Sequence, residues 1–405
     1  MKILNILFIL IGLSLTQSPE AKLRESIELA IEQKFDEKVV DLVFGVNETE
    51  ESIYLRIFVT SDKIRFADEK GITLSEIACP KDSKTVFSKE GHFVGIVECS
   101  RLLLQKQAFA LQEIRFNVFN ERGGWLLELK RTREYDYPLP SFHISPKNGS
   151  IVLSDGPEGM LYFYDNKGDL RRKVDLFEDD AWNNERNVAC CFSSDGNYFV
   201  VNALKNYDTP QEEGESYIIL FDSSGKEIWR KLLKERISAN TEISPSGDYI
   251  LASGYKVSNK LNIESKSTFL LDKDGKTIYR YPWLFTQAVF SSDGRYLALG
   301  EKNRVRLIET GGGEVLWEEE FTKRVRALDI SQSGSILIET ANGRYESGVF
   351  VFYNPIITVI APSKIKVYKK EFTDSRFFTP YIKILDSGKG FGIGLSDRFL
   401  FYKEM

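Results

Sequence analysis

The stretch SSDGRYLAL at residues 291–299 decides the fold, because copies of it recur along most of the chain. Each copy is a polar turn with glycine followed by an aromatic or aliphatic strand. The copies read SKEGHFVGI at 88–96, SPKNGSIVL at 145–153, SSDGNYFVV at 193–201, SPSGDYILA at 244–252, SQSGSILIE at 331–339 and, more weakly, DSGKGFGIG at 386–394. A spacing of about 40–57 residues is typical of β-propeller blades, each a sheet of four strands.

A second phrase alternates with the first and also places a glycine turn between two strands. Its copies read FADEKGITL at 66–74, FNERGGWLL at 119–127, YDNKGDLRR at 164–172, FDSSGKEIW at 221–229, LDKDGKTIY at 271–279, IETGGGEVLW at 308–317 and a degenerate FYNPIIT at 352–358. Glycine supplies the positive φ of a tight hairpin, and the preceding Asp or Asn caps the turn. If the strands of a blade are named a to d, the first phrase is the a–b turn and the second is the c–d turn. Both kinds of turn then lie on one face, and the b–c and d–a loops lie on the other.

Counting these turns predicts an all-β fold, a seven-bladed β-propeller closed by N- and C-terminal strands. In this arrangement residues 72–78 supply the outer strand of the last blade, which removes an open edge. Eight blades remain the alternative, because residues 39–64 could form further strands. Apolar residues at helical spacing within 20–35 predict a short N-terminal helix. The domains expected are a signal peptide at 1–18, an N-terminal helix with an extra strand segment at 19–63, and the propeller at 64–405.

The N-terminus predicts export. Met1-Lys2 precedes the apolar run ILNILFILIGLSL at 3–15, which has the length of a signal-peptide core and is short for a membrane span. The expected location is periplasmic, cell-surface or extracellular, with no membrane span after signal removal. The alternative is an apolar N-terminal core strand.

Charge and composition narrow the classes of function. A net charge of -5 argues against a nucleic-acid partner. Two histidines and no recognised ligand motif predict no metal site, no cofactor and no assigned catalytic residue. An oxidising compartment would allow disulfides from Cys79 with Cys99 and from the neighbours Cys190 and Cys191. The alternative is that all four are small apolar residues on strands.

The repeats resemble those of two propeller groups. SSDGRYLAL and SPSGDYILA resemble the repeat of WD-repeat and TolB-type propellers, although the Trp-Asp ending of WD repeats is absent. DSSGKEIW and GGGEVLW resemble the repeat of propellers like the pyrroloquinoline-quinone (PQQ) enzymes, in which a Trp docks one blade on the next. That resemblance implies a docking role for Trp229 and Trp317, with Trp125 a shifted match. The Cys190-Cys191 pair is similar to a vicinal disulfide of some quinoproteins, but no cofactor ligands can be matched.

The long, variable loops on the second face are where binding residues are expected, since a rigid scaffold holds them there. Trp, Tyr and Arg are favoured binding anchors. The candidates for ligand or partner binding are Trp182, Asn184, Arg186, Tyr207, Arg236 and Tyr255. The alternative is that these loops are solvated and their aromatic side chains pack on the ring. His143, near the predicted central channel, is expected to be a satisfied core or channel histidine rather than a catalytic one.

The hypothesis that follows is an exported, non-enzymatic, monomeric propeller acting as a binding or assembly scaffold. Its partner would be a protein, a peptide or a glycan at the face of the b–c and d–a loops. An enzyme is the alternative, either a quinoprotein-like dehydrogenase or a carboxylate-using hydrolase or lyase with its site in the central funnel. A third hypothesis is a single module of a larger cell-surface assembly.

Overall fold

The described part of the chain is almost entirely β-strand. The computed structural model describes residues 27–102, 111–134, 139–156, 158–177, 187–205, 215–233, 237–257, 263–346, 349–373, 375–377 and 379–404. A single 3-10 turn, Lys89–Gly91, is the one helical element in these ranges. Within them, no helix has the length and apolar character needed to cross a membrane.

The strands form eight separate antiparallel sheets, numbered here in chain order. Sheet 1 contains β2 (Asp41–Asn47), β3 (Ser52–Val59), β4 (Lys63–Ala67) and β5 (Thr73–Ala78). Sheet 2 contains β6 (Lys84–Phe87), β7 (Phe93–Leu102), β8 (Leu111–Asn120) and β9 (Trp125–Glu134). Sheet 3 contains β10 (Ser141–Ile144), β11 (Ile151–Asp155), β12 (Met160–Tyr164) and β13 (Leu170–Asp175). Sheet 4 contains β14 (Asn187–Phe192), β15 (Tyr198–Lys205), β16 (Glu215–Asp222) and β17 (Glu227–Leu233).

The second half of the chain repeats this order. Sheet 5 contains β18 (Ile237–Ile243), β19 (Tyr249–Val257), β20 (Ile263–Asp272) and β21 (Thr277–Tyr281). Sheet 6 contains β22 (Gln287–Phe290), β23 (Tyr296–Glu301), β24 (Arg304–Glu309) and β25 (Glu314–Glu320). Sheet 7 contains β26 (Arg324–Ile330), β27 (Ile336–Glu346), β28 (Val349–Ile360) and β29 (Lys366–Glu371), with β30 (Arg376–Phe377) added to β28. Sheet 8 contains β31 (Tyr381–Ile384), β32 (Gly390–Gly394), β33 (Arg398–Glu404) and, paired with β33, β1 (Ile27–Lys34).

Side chains of the repeated phrases build the turns. In the c–d turn of sheet 5, the Asp272 carboxylate accepts hydrogen bonds from the backbone N–H of Asp274 (3.1 Å) and of Lys276 (2.8 Å). Asp68, Asn120, Asp165 and Asp222 accept from the same two positions of their own turns. In the a–b turns a serine hydroxyl accepts a backbone N–H instead, as Ser291 does from Tyr296 at 3.0 Å. These contacts confirm the predicted capping of the turns.

Consecutive sheets pack face to face through apolar clusters, and the first strands of neighbouring sheets contact one another. The first strand of each sheet is therefore the innermost. Sheet 8 packs on sheet 7 through a cluster that includes Leu337 and Phe391. It also packs on sheet 1, where Ile53 meets Phe399 and Phe401. The core is thus a series of intersheet layers rather than one central cluster.

Four sequence expectations differ from the structure. The degenerate c–d turn at 352–358 lies inside strand β28, and the turn of sheet 7 falls at 361–365 instead. Residues 72–78 do not join the last sheet: β5 pairs with β4 inside sheet 1, and β1 supplies the outer strand of sheet 8. The helix predicted over 20–35 is wrong for 27–34, which is strand β1, and residues 20–26 lie outside the described residues. The boundary at 63/64 falls inside β4.

The number of sheets is one more than the seven blades predicted and equals the alternative of eight. Counting the repeated phrases does not include the first sheet, because its a–b turn lacks a glycine and Asn47–Ser52 replaces the repeated phrase there. The phrases at 193–201 and 221–229 hold the a–b and c–d turns of sheet 4, and those at 291–299 and 308–317 hold the same turns of sheet 6, as predicted.

Candidate functional site

Most of the predicted binding residues cannot be placed. Trp182, Asn184, Arg186, Tyr207 and Arg236 lie outside the described residues. Tyr255 lies on β19, is half-buried and pairs with Ile237 and Lys266 near the loop face. The predicted sector on the loop face therefore stays a prediction.

One ring of chemically distinctive residues lies on the innermost strands. In six sheets a serine begins the a–b turn, and the residue two positions before it lies at an equivalent position on the first strand. These positions hold Val86, His143, Cys191, Glu242, Val289 and Asp329, and Lys383 is the equivalent in sheet 8. We call these seven residues the inner ring.

His143 and Cys190 form a contact between sheets 3 and 4. The distance from His143 Nε2 to Cys190 Sγ is 3.0 Å, and the His143 ring lies edge-on to Phe199. Burial lowers the pKa of His143 to about 4 and raises the pKa of the Cys190 thiol to about 12. A nucleophilic cysteine needs the opposite electrostatics, with a thiolate favoured beside a charged imidazole. The pair is therefore a neutral hydrogen-bonded contact in the described state, as the sequence analysis expected for His143.

The neighbouring cysteines face different intersheet layers. Cys190 packs against the layer between sheets 3 and 4, and Cys191 packs against the layer between sheets 4 and 5, where its Sγ lies 3.8 Å from the Thr241 carbonyl oxygen. Adjacent residues of an extended strand point to opposite faces, which is incompatible with bridging their sulfurs without moving the backbone. All four cysteines, including Cys79 and Cys99, are free thiols in the structure.

An ion pair crosses the space between the innermost strands. Lys89 lies in the 3-10 turn of sheet 2, and its Nζ lies 2.6 Å from Glu242 Oε1 of sheet 5, three sheets away. The same Nζ donates to the Ile243 carbonyl oxygen at 3.3 Å. Burial alone would lower the pKa of Lys89, but Glu242 outweighs it, so the pKa is raised and the ammonium stays charged. The turn of sheet 2 thus contacts the first strand of sheet 5.

An arginine of sheet 1 also contacts this turn, which contains a residue with positive φ. Glu90 has a φ of 68°, which is uncommon outside glycine. Arg56 Nη1 donates to the Glu90 carbonyl oxygen at 3.1 Å and lies 3.3 Å from Glu121. The strained residue is therefore fixed from sheet 1 as well as from its own sheet.

The remaining charged members of the inner ring also pair with each other. The Asp329 carboxylate accepts the Ile384 N–H at 2.7 Å and lies 3.6 Å from Lys383 Nζ. Asp329 raises the pKa of Lys383. These contacts join sheets 7 and 8 at the centre, so the charges of the inner ring serve contacts between sheets.

Sequence reasoning missed the inner ring except for His143. The sequence does identify these positions, because the residue two places before each turn serine is the same position in each sheet. Charged residues at a position that is valine in sheets 2 and 6 would have stood out. The cross-centre partner Lys89 has no such signal, since only the folded turn brings it to Glu242.

Side-chain amides join consecutive sheets nearer the loop face. Asn202 of β15 donates to the carbonyl oxygens of Asn240 and Ser253, both at 3.1 Å. Asn240 donates in turn to the Phe285 carbonyl oxygen of the next sheet at 2.7 Å. Gln287 continues the series by donating to the Arg326 carbonyl oxygen. Sheets 4 to 7 are therefore held in register by amides that the sequence analysis did not single out.

The three tryptophans with a predicted docking role occupy different environments. The Trp229 indole N–H donates to the Lys273 carbonyl oxygen at 2.7 Å, and its ring lies against Gly275 of the next c–d turn. Gly275 has a φ of 77°, and a Cβ there would come 3.1 Å from the indole. Trp317 is buried in the layer between sheets 6 and 7. Trp125 is 61% exposed.

The loop face of sheet 7 carries a hairpin that extends past its neighbours. β26 pairs with β27 no further than Ala341, and β29 pairs with β28 no earlier than Ile356. Within the described part of the chain, residues 342–346 and 349–355 therefore project, apart from the two-residue strand β30 beside Phe352 and Tyr353. We call this segment the overhang. Its tip carries Tyr345, which is 77% exposed.

Comparison with solved structures identifies the fold. The chain is similar to the Dos1 propeller (TM-score 0.56, 11% identity, covering 93% of this chain and 95% of that one). It is also similar to the C-terminal WD40 domain of Sif2 (TM-score 0.52, 13% identity, 93% and 99%) and to a eukaryotic initiation factor (TM-score 0.51, 11% identity, 85% and 91%). No protein-family profile and no curated protein sequence matches the chain. The chain therefore has a β-propeller fold that resembles WD40 domains.

Proposed function

We propose that this chain is an exported, non-enzymatic propeller that binds a protein or peptide partner through the face of its b–c and d–a loops. The observation that carries the proposal is the overhang of sheet 7, where Tyr345 is exposed on that face and partly buried Phe350 and Phe352 lie beside it. Exposed aromatic residues on a rigid scaffold are favoured as binding anchors. The inner ring supports the same conclusion, because its charged groups are paired between sheets, Glu242 with Lys89 and Asp329 with Lys383.

The proposed scaffold is a closed ring of eight blades. The order of the intersheet layers supports it, since each sheet packs on the next and sheet 8 packs on both sheet 7 and sheet 1. The pairing of β1 with β33 brings the two ends of the described chain into one sheet. Such pairing covers a strand edge that could otherwise recruit another chain, and we expect a monomer.

Binding is tested by affinity capture with the purified full chain from the native cell envelope and culture fluid. A loop-face variant, Tyr345→Ser with Phe350→Ser, is compared with the turn-face variant Arg171→Gln. The proposal expects one partner to be retained by the wild type and by Arg171→Gln, and lost with the loop-face variant. Retention by the loop-face variant and loss with Arg171→Gln would place binding on the opposite face.

Export is tested separately by the mass of the mature chain. The apolar run at 3–15 supports cleavage near residue 18. Production in a secreting host with the native N-terminus should give an exported chain that lacks this segment. An uncleaved chain retained inside the cell would contradict export without affecting the binding proposal.

A further inference from the structure

The overhang presents an ordered stripe of aromatic rings on one of its faces. Phe352 stacks on buried Phe377 at 5.1 Å between ring centroids, Phe350 packs edge-on against Phe352 at 5.1 Å, and Tyr345 packs edge-on against Phe350 at 4.9 Å. The stripe thus runs from the core to an exposed tip. Such edge and stacked contacts fix the rings before any ligand arrives.

The backbone of the overhang is shaped to carry this stripe. Gly343 lies opposite Phe352 in the strand register, and Tyr345 lies opposite Phe350. A Cβ at Gly343 would come 2.4 Å from the Phe350 ring, so only glycine leaves room for that ring to lie flat across the hairpin. The stripe therefore occupies one face of a two-stranded ribbon, and the Phe350 ring lies over Gly343 on that face.

An arginine lies beside the stripe. The Arg326 guanidinium is centred 4.6 Å from the Phe352 ring and 5.9 Å from the Phe350 ring. Its Nε donates to the Ala341 carbonyl oxygen at 3.0 Å, which fixes the plane of the group and leaves its terminal nitrogens without an acceptor among the described residues. A guanidinium held this way is suited to bind a carboxylate with two parallel hydrogen bonds.

The charges around the stripe are mainly positive. Arg324 and Arg376 are exposed at its base, and Arg344 on the opposite face of the hairpin is paired with Glu346 at 2.7 Å. Glu339 lies fully buried beneath, with neither carboxyl oxygen hydrogen-bonded within the described part of the chain. Burial raises the pKa of the Glu339 carboxyl well above its usual range, which disfavours its charged form beside Arg326. A basic spot on a chain of net charge -5 favours an acidic ligand.

The edge of the overhang suits an extended ligand. No described strand pairs with residues 342–346 on the side away from β28, because β26 ends its pairing at Ala341. An open strand edge can accept a further strand from a peptide. A cationic peptide is disfavoured by Arg324 and Arg326 at the same place.

We propose that the overhang of sheet 7 binds an extended acidic peptide segment of a partner protein. A carboxylate of the peptide meets Arg326, and an apolar side chain packs on Phe350 and Tyr345. This inference deepens the proposed function and depends on it, since it names the site and the ligand chemistry within the loop face.

The test is selection of a displayed library of random ten-residue peptides on the immobilised full chain. The expected result is enrichment of peptides with an acidic residue next to an aromatic or aliphatic one. Arg326→Gln and Phe350→Ser, with unchanged melting temperatures, should each weaken binding of an enriched peptide by roughly tenfold or more, since truncated anchors cost about that much. Arg326→Lys should restore part of the affinity, and the matched controls Arg171→Gln and Trp125→Ser should bind as the wild type does.

Four outcomes would overturn the inference. Enriched peptides that are basic would contradict the charge argument. Competition by a single-stranded oligonucleotide, with no enrichment of acidic peptides, would identify a phosphate-bearing ligand instead. Acidic peptides that bind Arg326→Gln and Phe350→Ser normally would place the site elsewhere on the loop face and leave the proposed function standing. Capture that depends only on the turn face would contradict both this inference and the proposed function.

Discussion

At the scale of single residues, the repeated polar side chains cap the turns in which they lie, as their position in the sequence indicates. Asp272 and its equivalents close the c–d turns by accepting two backbone N–H groups each. A carboxylate or an amide can do this, which explains why Asn120 replaces Asp in sheet 2. The identity of the residue follows from the hydrogen-bonding geometry of the turn.

Replacing one of these residues should therefore weaken the fold by a modest amount. Asp272→Ala leaves two turn N–H groups without their acceptor and should lower the free energy of unfolding by about 1 kcal/mol. Asp272→Asn keeps the acceptor oxygen and should lower it by much less. Urea denaturation measures both. Equal losses for the two variants would mean that charge, rather than turn hydrogen bonding, is what Asp272 contributes.

The inner ring predicts how stability depends on pH. His143 has its pKa lowered to about 4 by burial, so the unfolded chain takes up a proton at a higher pH than the folded chain does. Stability should therefore fall as the pH is lowered from about 6.5 to about 4, by about 3 kcal/mol from this residue.

The variant His143→Gln should remove this contribution and flatten the pH dependence of the unfolding midpoint in that range. His92→Gln is the matched control, because His92 is exposed in the a–b turn of sheet 2. An acid sensitivity that survives in His143→Gln and disappears in His92→Gln would contradict the assignment.

At the scale of elements, most strands follow from the alternation of the two repeated phrases, and the exceptions have physical reasons. β1 has its apolar residues at helical spacing, yet it is a strand because β33 offers an unpaired edge. Leu29 and Ile31 remain 45% and 44% exposed there, so burial does not select the conformation. Local periodicity cannot report an edge that lies some 370 residues away in the chain.

The same limit applies to the candidate site. His143 was recognisable near the channel, but the stripe on the overhang was not. Phe350 and Phe352 read as ordinary strand residues until the register places them opposite Tyr345 and Gly343. The protrusion itself depends on where β26 and β29 end their pairing, which a repeat pattern does not specify.

The outer strand of sheet 8 can be tested by truncation. A chain that begins at residue 27 retains β1, and a chain that begins at residue 35 exposes the edge of β33. The shorter chain should melt at a lower temperature and form oligomers or aggregates through that edge. Light scattering after size-exclusion chromatography measures this, with the chain starting at 27 as control. A monomeric, equally stable shorter chain would show that β1 is dispensable.

Docking between sheets can be tested at a tryptophan. Trp229→Ala removes an indole that packs on Gly275 and bonds to the Lys273 carbonyl oxygen, and it should cost about 2 kcal/mol of unfolding free energy. Trp125→Ala removes a side chain that is mostly exposed and should cost below about 0.5 kcal/mol. Chemical denaturation distinguishes them, and a larger loss for Trp125→Ala would contradict the docking role.

At the scale of the whole molecule, the aromatic and glycine content has a structural cause. Each sheet uses aromatic residues in the layers on its two sides and glycines in its turns, and the repetition produces a scaffold with two unlike faces. The turn face consists of short, self-capped hairpins. The loop face carries the longer connections and the overhang. This asymmetry is why binding is proposed on one face, and why the inner ring, whose charges are paired, is proposed as structural.

The central claim is that the loop face meets the partner, and site-specific photo-crosslinking tests it most directly. A photoreactive amino acid is placed at Tyr345 or Tyr255 on the loop face, and at Ser224 or Asp274 in the c–d turns. After irradiation in the native compartment, we predict that partner protein is crosslinked from position 345 and that none is crosslinked from position 224 or 274. A crosslink from position 255 would show that the contact extends to sheet 5. Crosslinks from 224 and 274 with none from 345 would contradict the central claim.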